Sequence, residues 1–98
     1  MNYEWNEIKA VTNKIKHGVE FSEAVSVFAD ENALFMFDDE HSDGEDRFLL
    51  LGKSYKERIL LVVHCYKQDD IIRLISARKA TKNETRQYNE RKTDEKGI

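Results

Sequence analysis

The chain has 98 residues, 40% of them hydrophobic and 36% charged, with a formal net charge of -3. That length holds a single domain over 1–98 with one modest core, the acidic balance argues against a general nucleic-acid coat, and no apolar run reaches the roughly 20 residues of a membrane span. The N-terminus, Met1-Asn2-Tyr3-Glu4-Trp5, has no basic, apolar leader and Cys65 has no second cysteine to pair with, so a cytoplasmic protein is expected.

No proline and no repeat marks an internal boundary. Tyr3 to Trp5 reads as a short strand. From Asn6 the pattern turns helical: Ile8, Thr12 and Ile15, with Val11 beside them, form one apolar stripe, and Lys9, Asn13 and Lys16 fall on another face. Gly18 ends this helix as a left-handed cap. Ser22 is the expected N-cap of a second helix whose buried side is Ala24, Val25, Val27 and Phe28, closing at Asp30-Glu31-Asn32.

Strands follow. Ala33 to Phe37 is the first, then an acidic turn, then Arg47 to Leu51 ending at Gly52. Arg58 to Tyr66, with Ile59, Leu60, Leu61, Val62 and Val63 in sequence, predicts a central strand buried on both faces. Lys67-Gln68-Asp69 turns the chain into Ile71 to Ala77. Thr81 or Asn83 caps a polar C-terminal helix carrying Tyr88, and a disordered tail is expected over 93–98. Short turns favour antiparallel pairing. The expectation is an α+β fold: an antiparallel sheet packed on one face with the N-terminal helices and a C-terminal helix.

The charge is unevenly spread. Asp38, Asp39, Glu40, Asp43, Glu45 and Asp46 cluster around Gly44, whereas Arg78, Lys79, Lys82, Arg86, Arg91 and Lys92 form a basic C-terminal segment. A local basic face binds RNA even on an acidic chain. In Ile72-Arg73-Leu74-Ile75-Ser76-Ala77-Arg78-Lys79-Ala80, a hydrophobic strand delivers guanidiniums, whose planar, permanently charged forks suit phosphate. Period two puts Arg73 and Arg78 on opposite faces, so they converge only if the strand bends, bulges or ends early. Lys16-His17 supplies an ammonium beside a titratable ring, although cations at a helix end also have a purely structural reason in the helix dipole. Arg47 follows Glu45 and Asp46, and either pairs with them or reaches across the sheet.

Other candidates have plainer readings. His64 shares strand parity with Val62 and Tyr66 and reads as a half-buried sheet residue. His41 sits in the acidic turn, but EF-hand spacing is absent and no zinc set is complete, so no metal site and no cofactor is expected. Cys65 lies in an apolar run and reads as an inert thiol. There is no nucleophile elbow and no glycine-rich phosphate loop.

Taken together, the residues resemble a known family. Glu4-Trp5-Asn6, Lys9, Asn13 and Lys16-His17-Gly18-Val19 open the pattern. Phe21, Glu23-Ala24, Val27-Phe28 and Asp30 continue it, as do His41-Ser42, Glu45, Arg47 and Gly52. Ile72 to Ala80, with Glu84 and Tyr88, ends it. In order and spacing the chain resembles the BrnT-type toxins of the RelE-like superfamily, over roughly residues 3 to 90. Asn6 stands where the family commonly has Asp, and it caps a helix almost as well. The resemblance implies a RelE-like fold and endoribonuclease activity without a metal. It also implies growth inhibition through blocked translation, and a BrnA-like antitoxin with a ribbon-helix-helix domain. Operator DNA would then be bound only through the toxin–antitoxin complex.

For RNA cleavage, Lys16 or His17 would serve as base or acid. Arg47, Arg73 and Arg78 would hold the phosphate, and Glu45 would orient an arginine or take a proton. The rival readings are a non-catalytic module that binds protein or nucleic acid through its basic segment, and a toxin that has lost its activity.

Overall fold

The computed structural model describes residues 1–96. Its centre is a five-stranded sheet of β1 (Asn2–Glu4), β2 (Leu34–Phe37), β3 (Phe48–Lys53), β4 (Ile59–Lys67) and β5 (Ile71–Lys79). The spatial order is β1-β5-β4-β3-β2. β2 to β5 pair antiparallel, as short turns dictate. β1 departs from the expected antiparallel sheet: it lies parallel to β5, with Tyr3 opposite Ile72 and Glu4 opposite Arg73. The reason is topological. The chain leaves β1 through two helices and three strands before it returns, which frees β1 from the hairpin rule.

Helix α1 (Glu7–His17) begins at Asn6, whose side chain accepts the Lys9 N–H at 3.1 Å. It stops at Gly18, which is left-handed at φ 69° and donates its N–H to Lys14 O at 2.8 Å. Helix α2 (Phe21–Val25) starts one residue before the expected cap, so Ser22 lies inside its first turn, and a 3-10 turn, Ser26–Ala29, continues it. Helix α3 (Lys82–Lys96) starts with a capping box: Thr81 Oγ1 accepts the Glu84 N–H at 3.2 Å, and Glu84 Oε1 accepts the Thr81 N–H at 2.8 Å. The helix runs through Lys96, past the start of the tail expected over 93–98; 97 and 98 lie outside the described residues.

Alternation along the strands divides the core. Leu50, Leu60, Val62, Ile72, Leu74 and Ala77 face α2 and its flanks, where Val19, Phe21, Ala24 and Val27 are buried. Leu51 and Leu61 point the other way and are covered by Tyr88 of α3. The helices therefore do not share one face as expected. Along α3 the packing residue is Tyr88, which covers Leu51 and Leu61 at one end of the second face. β4 is buried on both sides for this reason.

The connection at Asp30 ties these parts together. Asp30 accepts N–H groups from Lys53 at 2.7 Å and Asn32 at 3.0 Å, and the Tyr88 hydroxyl at 2.7 Å. Burial raises its pKa, but these donors together outweigh burial and hold the carboxyl below its ordinary range. A Cβ on Gly52 would sit 2.9 Å from Ala33 Cβ and Val27 Cγ1, so only glycine lets β3 approach this corner. Glu23, buried at 1% exposure, forms an ion pair with Arg58 and accepts the Ser54 hydroxyl at 2.7 Å.

α1 packs in the reverse sense to its sequence pattern. Ile8, Val11 and Ile15 are 78%, 60% and 81% exposed, while Asn13 is 5% exposed. β1 ends opposite Arg73, so the outer edge of β5 beyond it lacks a strand partner. Asn13 fills that role: Nδ2 donates to Ala77 O at 2.8 Å and to Val19 O at 2.9 Å, and Oδ1 accepts the Ala77 N–H at 3.0 Å. A buried amide group left without partners costs more than an isoleucine left in water, so the polar face wins.

Asn13→Ala is expected to lower the unfolding free energy by about 2–4 kcal/mol, since it strands both polar groups of Ala77. Urea unfolding followed by circular dichroism reads the loss. His64 supplies a second test. It is fully buried among Phe28, Phe35, Phe48 and Tyr66, and among the described residues its Nε2 has no hydrogen-bond partner. Burial pushes its pKa down. The unfolded imidazole, near pH 6.5 (about), then binds a proton that the folded one refuses. Stability is full above that pH and falls as pH drops through it toward the folded value. Melting temperatures should decline on acidification below neutrality, and His64→Phe should flatten that decline.

Candidate active site

β5 decides where the arginines stand. Val63 of β4 is opposite Ser76, and His64 is opposite Leu74, which leaves Ile75 without a partner. That extra residue is a β-bulge, and it resets the alternation. Ile72, Leu74 and Ala77 all face the helix-packed core, so Arg73 and Arg78 share the opposite face. Strict period two would have separated them.

Their partners on β4 are Cys65 and Leu61, four positions apart, so the two Cα atoms lie about 13 Å from one another. They share a face but not a point. Arg73 Nη1 donates to Glu4 Oε2 at 2.6 Å, a pairing that follows from the β1–β5 register. Arg78 forks onto Glu84, with Nη1 to Oε1 at 2.8 Å and Nη2 to Oε2 at 2.9 Å. Glu84 is held below the usual carboxylate range first by that guanidinium. Arg78 thus also anchors the start of α3.

Between them, the bulge residues Ile75 and Ser76 floor two adjoining clefts. One is bordered by Lys9, Thr12, Lys16 and His17 of α1. The other is bordered by Asp38, His41, Arg47 and Val63. Lys16 and His17 therefore reach the floor from one side, and Arg47 from the other. Among the described residues no carboxylate lies within ion-pair distance of Arg47. Its backbone N–H is fixed by Ser42 Oγ at 3.0 Å and its carbonyl by the Asp38 N–H at 2.9 Å, which sets the position of the side chain.

Glu45 stands further out. It pairs with Lys67, and this contact first, then the Cys65 thiol, holds its carboxyl below the ordinary range. Glu45 is therefore an acceptor at neutral pH and supplies no proton. Cys65 is buried, and burial, then Glu45, pushes its thiol up, so it is no thiolate nucleophile. Among the described residues no three His, Cys, Asp or Glu side chains converge as metal ligands, and no helix is long and apolar enough to cross a membrane.

Of the six residues expected from the sequence, the fold groups Lys16, His17 and Arg47 around one floor. It sets Arg73 and Arg78 on the sheet face to either side and leaves Glu45 beside Lys67. His41 and Ser76 were missed. His41 lines the cleft with its Nδ1 3.1 Å from Asp38 Oδ2. Ser76 reaches the floor only because of the bulge, which no local pattern signals.

A cation-lined floor on a sheet face suits a polyanion. Residues 5–84 match the model of a family described as "Ribonuclease toxin, BrnT, of type II toxin-antitoxin system". The match spans most of the chain and places it among the toxins of type II toxin–antitoxin systems. The crystal structure of the Brucella abortus ribonuclease toxin, BrnT, is similar in fold: TM-score 0.65 and 24% identity, covering 84% of this chain and 99% of that one. A search of curated proteins returns no match. The chain belongs to the BrnT family of ribonuclease toxins.

Proposed function

We propose that this chain cleaves RNA at the Ile75–Ser76 floor without a metal, within the RelE-like superfamily, and that this cleavage blocks translation and growth in the cytoplasm. The single domain 1–98 would be sufficient. The observation that carries the reading is the bulge, which puts Arg73 and Arg78 on one face with Lys16, His17 and Arg47 around the floor between them.

The ribose 2'-hydroxyl attacks the adjacent phosphorus. Lys16 or His17 takes the 2' proton as the new O–P bond forms. The P–O5' bond breaks, and the other group returns a proton to the departing 5' oxygen. The products are a 2',3'-cyclic phosphate and a 5'-hydroxyl. The pentavalent phosphorus carries extra negative charge, and Arg47, which lines the cleft beside Ser76, supplies a guanidinium to stabilise it. At about 13 Å apart, Arg73 and Arg78 suit flanking phosphates of one strand or lean inward over Ser76. Arg73 gives one N–H to Glu4, out of the five donors that a guanidinium carries. Glu45, ionised by Lys67, positions cations or accepts a proton.

The neutralising partner is a BrnA-like antitoxin with a ribbon-helix-helix domain, encoded beside the toxin, and operator DNA is bound only by the pair. Because Arg73 and Arg78 are each engaged by a carboxylate, the rival reading gives both a purely structural role in a non-catalytic binding module.

Purified chain incubated with a defined RNA should yield cyclic phosphate ends, and the yield should survive EDTA. Arg47→Ala should lower the cleavage rate by about 100-fold or more, and Arg73→Ala/Arg78→Ala should abolish both cleavage and growth arrest while the protein stays folded. His17→Gln should remove one limb of the pH–rate profile if His17 is the base or acid. Full toxicity of the double arginine variant would refute this site, and loss of cleavage in EDTA would refute the metal-free route.

A further inference from the structure

α1 presents Ile8, Val11 and Ile15 to solvent, on the side opposite Asn13, Ala10 and His17. Spaced i, i+3 and i+7, they form the ridge by which one helix recognises another. A groove runs along each side. Trp5, Ala10, Lys14, Glu20 and Phe21 line one, and Thr12, Lys16, His17, Ile75 and Ser76 line the other. A ridge between two grooves is the surface a packed helix needs.

The flanking charges select the occupant. On one flank Lys14 is already paired with Glu20 at 2.8 Å. On the other stand Lys9 and Lys16, and among the described residues neither makes an ion pair. A second copy fits badly. In an antiparallel pair of like helices each flank meets itself, which sets Lys9 and Lys16 against the same two lysines. A parallel pair aligns the two helix dipoles side by side.

We infer that α1 is the docking surface for the antitoxin, and that the docked segment is an amphipathic helix of about three turns with an apolar stripe and carboxylates toward Lys9 and Lys16. This rests in part on the proposed site, because the groove on the Lys9–Lys16 side ends on Ile75 and Ser76, so a helix seated along that flank narrows the way to that floor. Neutralisation then needs no change of shape in the toxin. The isoleucines supply affinity, and the two lysines set the orientation.

The test titrates the purified antitoxin encoded beside this chain's gene into the full chain by calorimetry. It compares the native chain with Val11→Glu/Ile15→Glu and with the milder Val11→Gln/Ile15→Gln. Both positions are exposed and both replacements are good helix formers, so melting curves should be unchanged. Affinity should fall about 100-fold or more for the glutamate pair and about tenfold for the glutamine pair, at about 1.4 kcal/mol per decade. Growth arrest by the variants should persist even when the antitoxin is co-expressed. Affinities within threefold of native would overturn the proposal. So would failure of the native chain to bind, or a native dimer in light scattering that the substitutions split. If the native chain arrests no growth but affinity still falls as expected, the active-site reading fails and the docking surface stands.

Discussion

The bulge at Ile75 is the constraint on which the rest of the site depends. β5 must bury Ile72, Leu74 and Ala77 against the helices and also keep pairing with β4 along nearly its whole length. One inserted residue satisfies both and switches the face on which every later side chain falls. Arg78 joins Arg73 through that switch, and Ser76 comes to lie between them. Without the bulge, either Arg78 would enter the core or Ala77 would leave it.

The other edge of β5 imposes a second condition. Where β1 stops, a strand in the middle of a domain still needs partners for its backbone. A single carboxamide, Asn13, provides them and locks α1 alongside the strand. Lys16 and His17 sit one turn further along that helix, so the bond that closes the sheet also aims the candidate proton-transfer groups. Stability and the site share their supports here, as they do at Arg78, whose fork on Glu84 fixes the start of α3.

The uneven charge becomes intelligible on this frame. A chain of net charge -3 presents Arg73 and Arg78 on one sheet face and Lys9 and Lys16 along one flank of α1. Each of Arg73, Arg78 and Lys67 is held by a carboxylate from another element, which keeps long side chains in place at small energetic gain on a wet surface. Arg47 differs: its backbone is pinned by Ser42 and Asp38, and among the described residues no carboxylate lies within ion-pair distance of its guanidinium.

Much of the architecture was legible in the sequence. Asn6 and Gly18 bounded α1, Thr81 was one of the two caps offered for α3, and the Ile59–Val63 run marked the central strand, because caps and runs act over a few residues. The resemblance carried the family, which the family match bears out. What the sequence misled on depended on distant partners. The stripe Ile8, Val11, Ile15 has the period of a core face, yet its helix is held by the other side, since the need of Ala77 arises only when β5 is formed. β1 joined in parallel because a strand at the chain's start is placed by the whole topology. His41 and Ser76 had no local sign of a place in the cleft. By itself, then, the sequence determined most of the elements, the caps of α1 and the residue types of the candidate site. The tertiary structure alone decided which faces those residues share, because face and register depend on pairing between strands far apart in the chain.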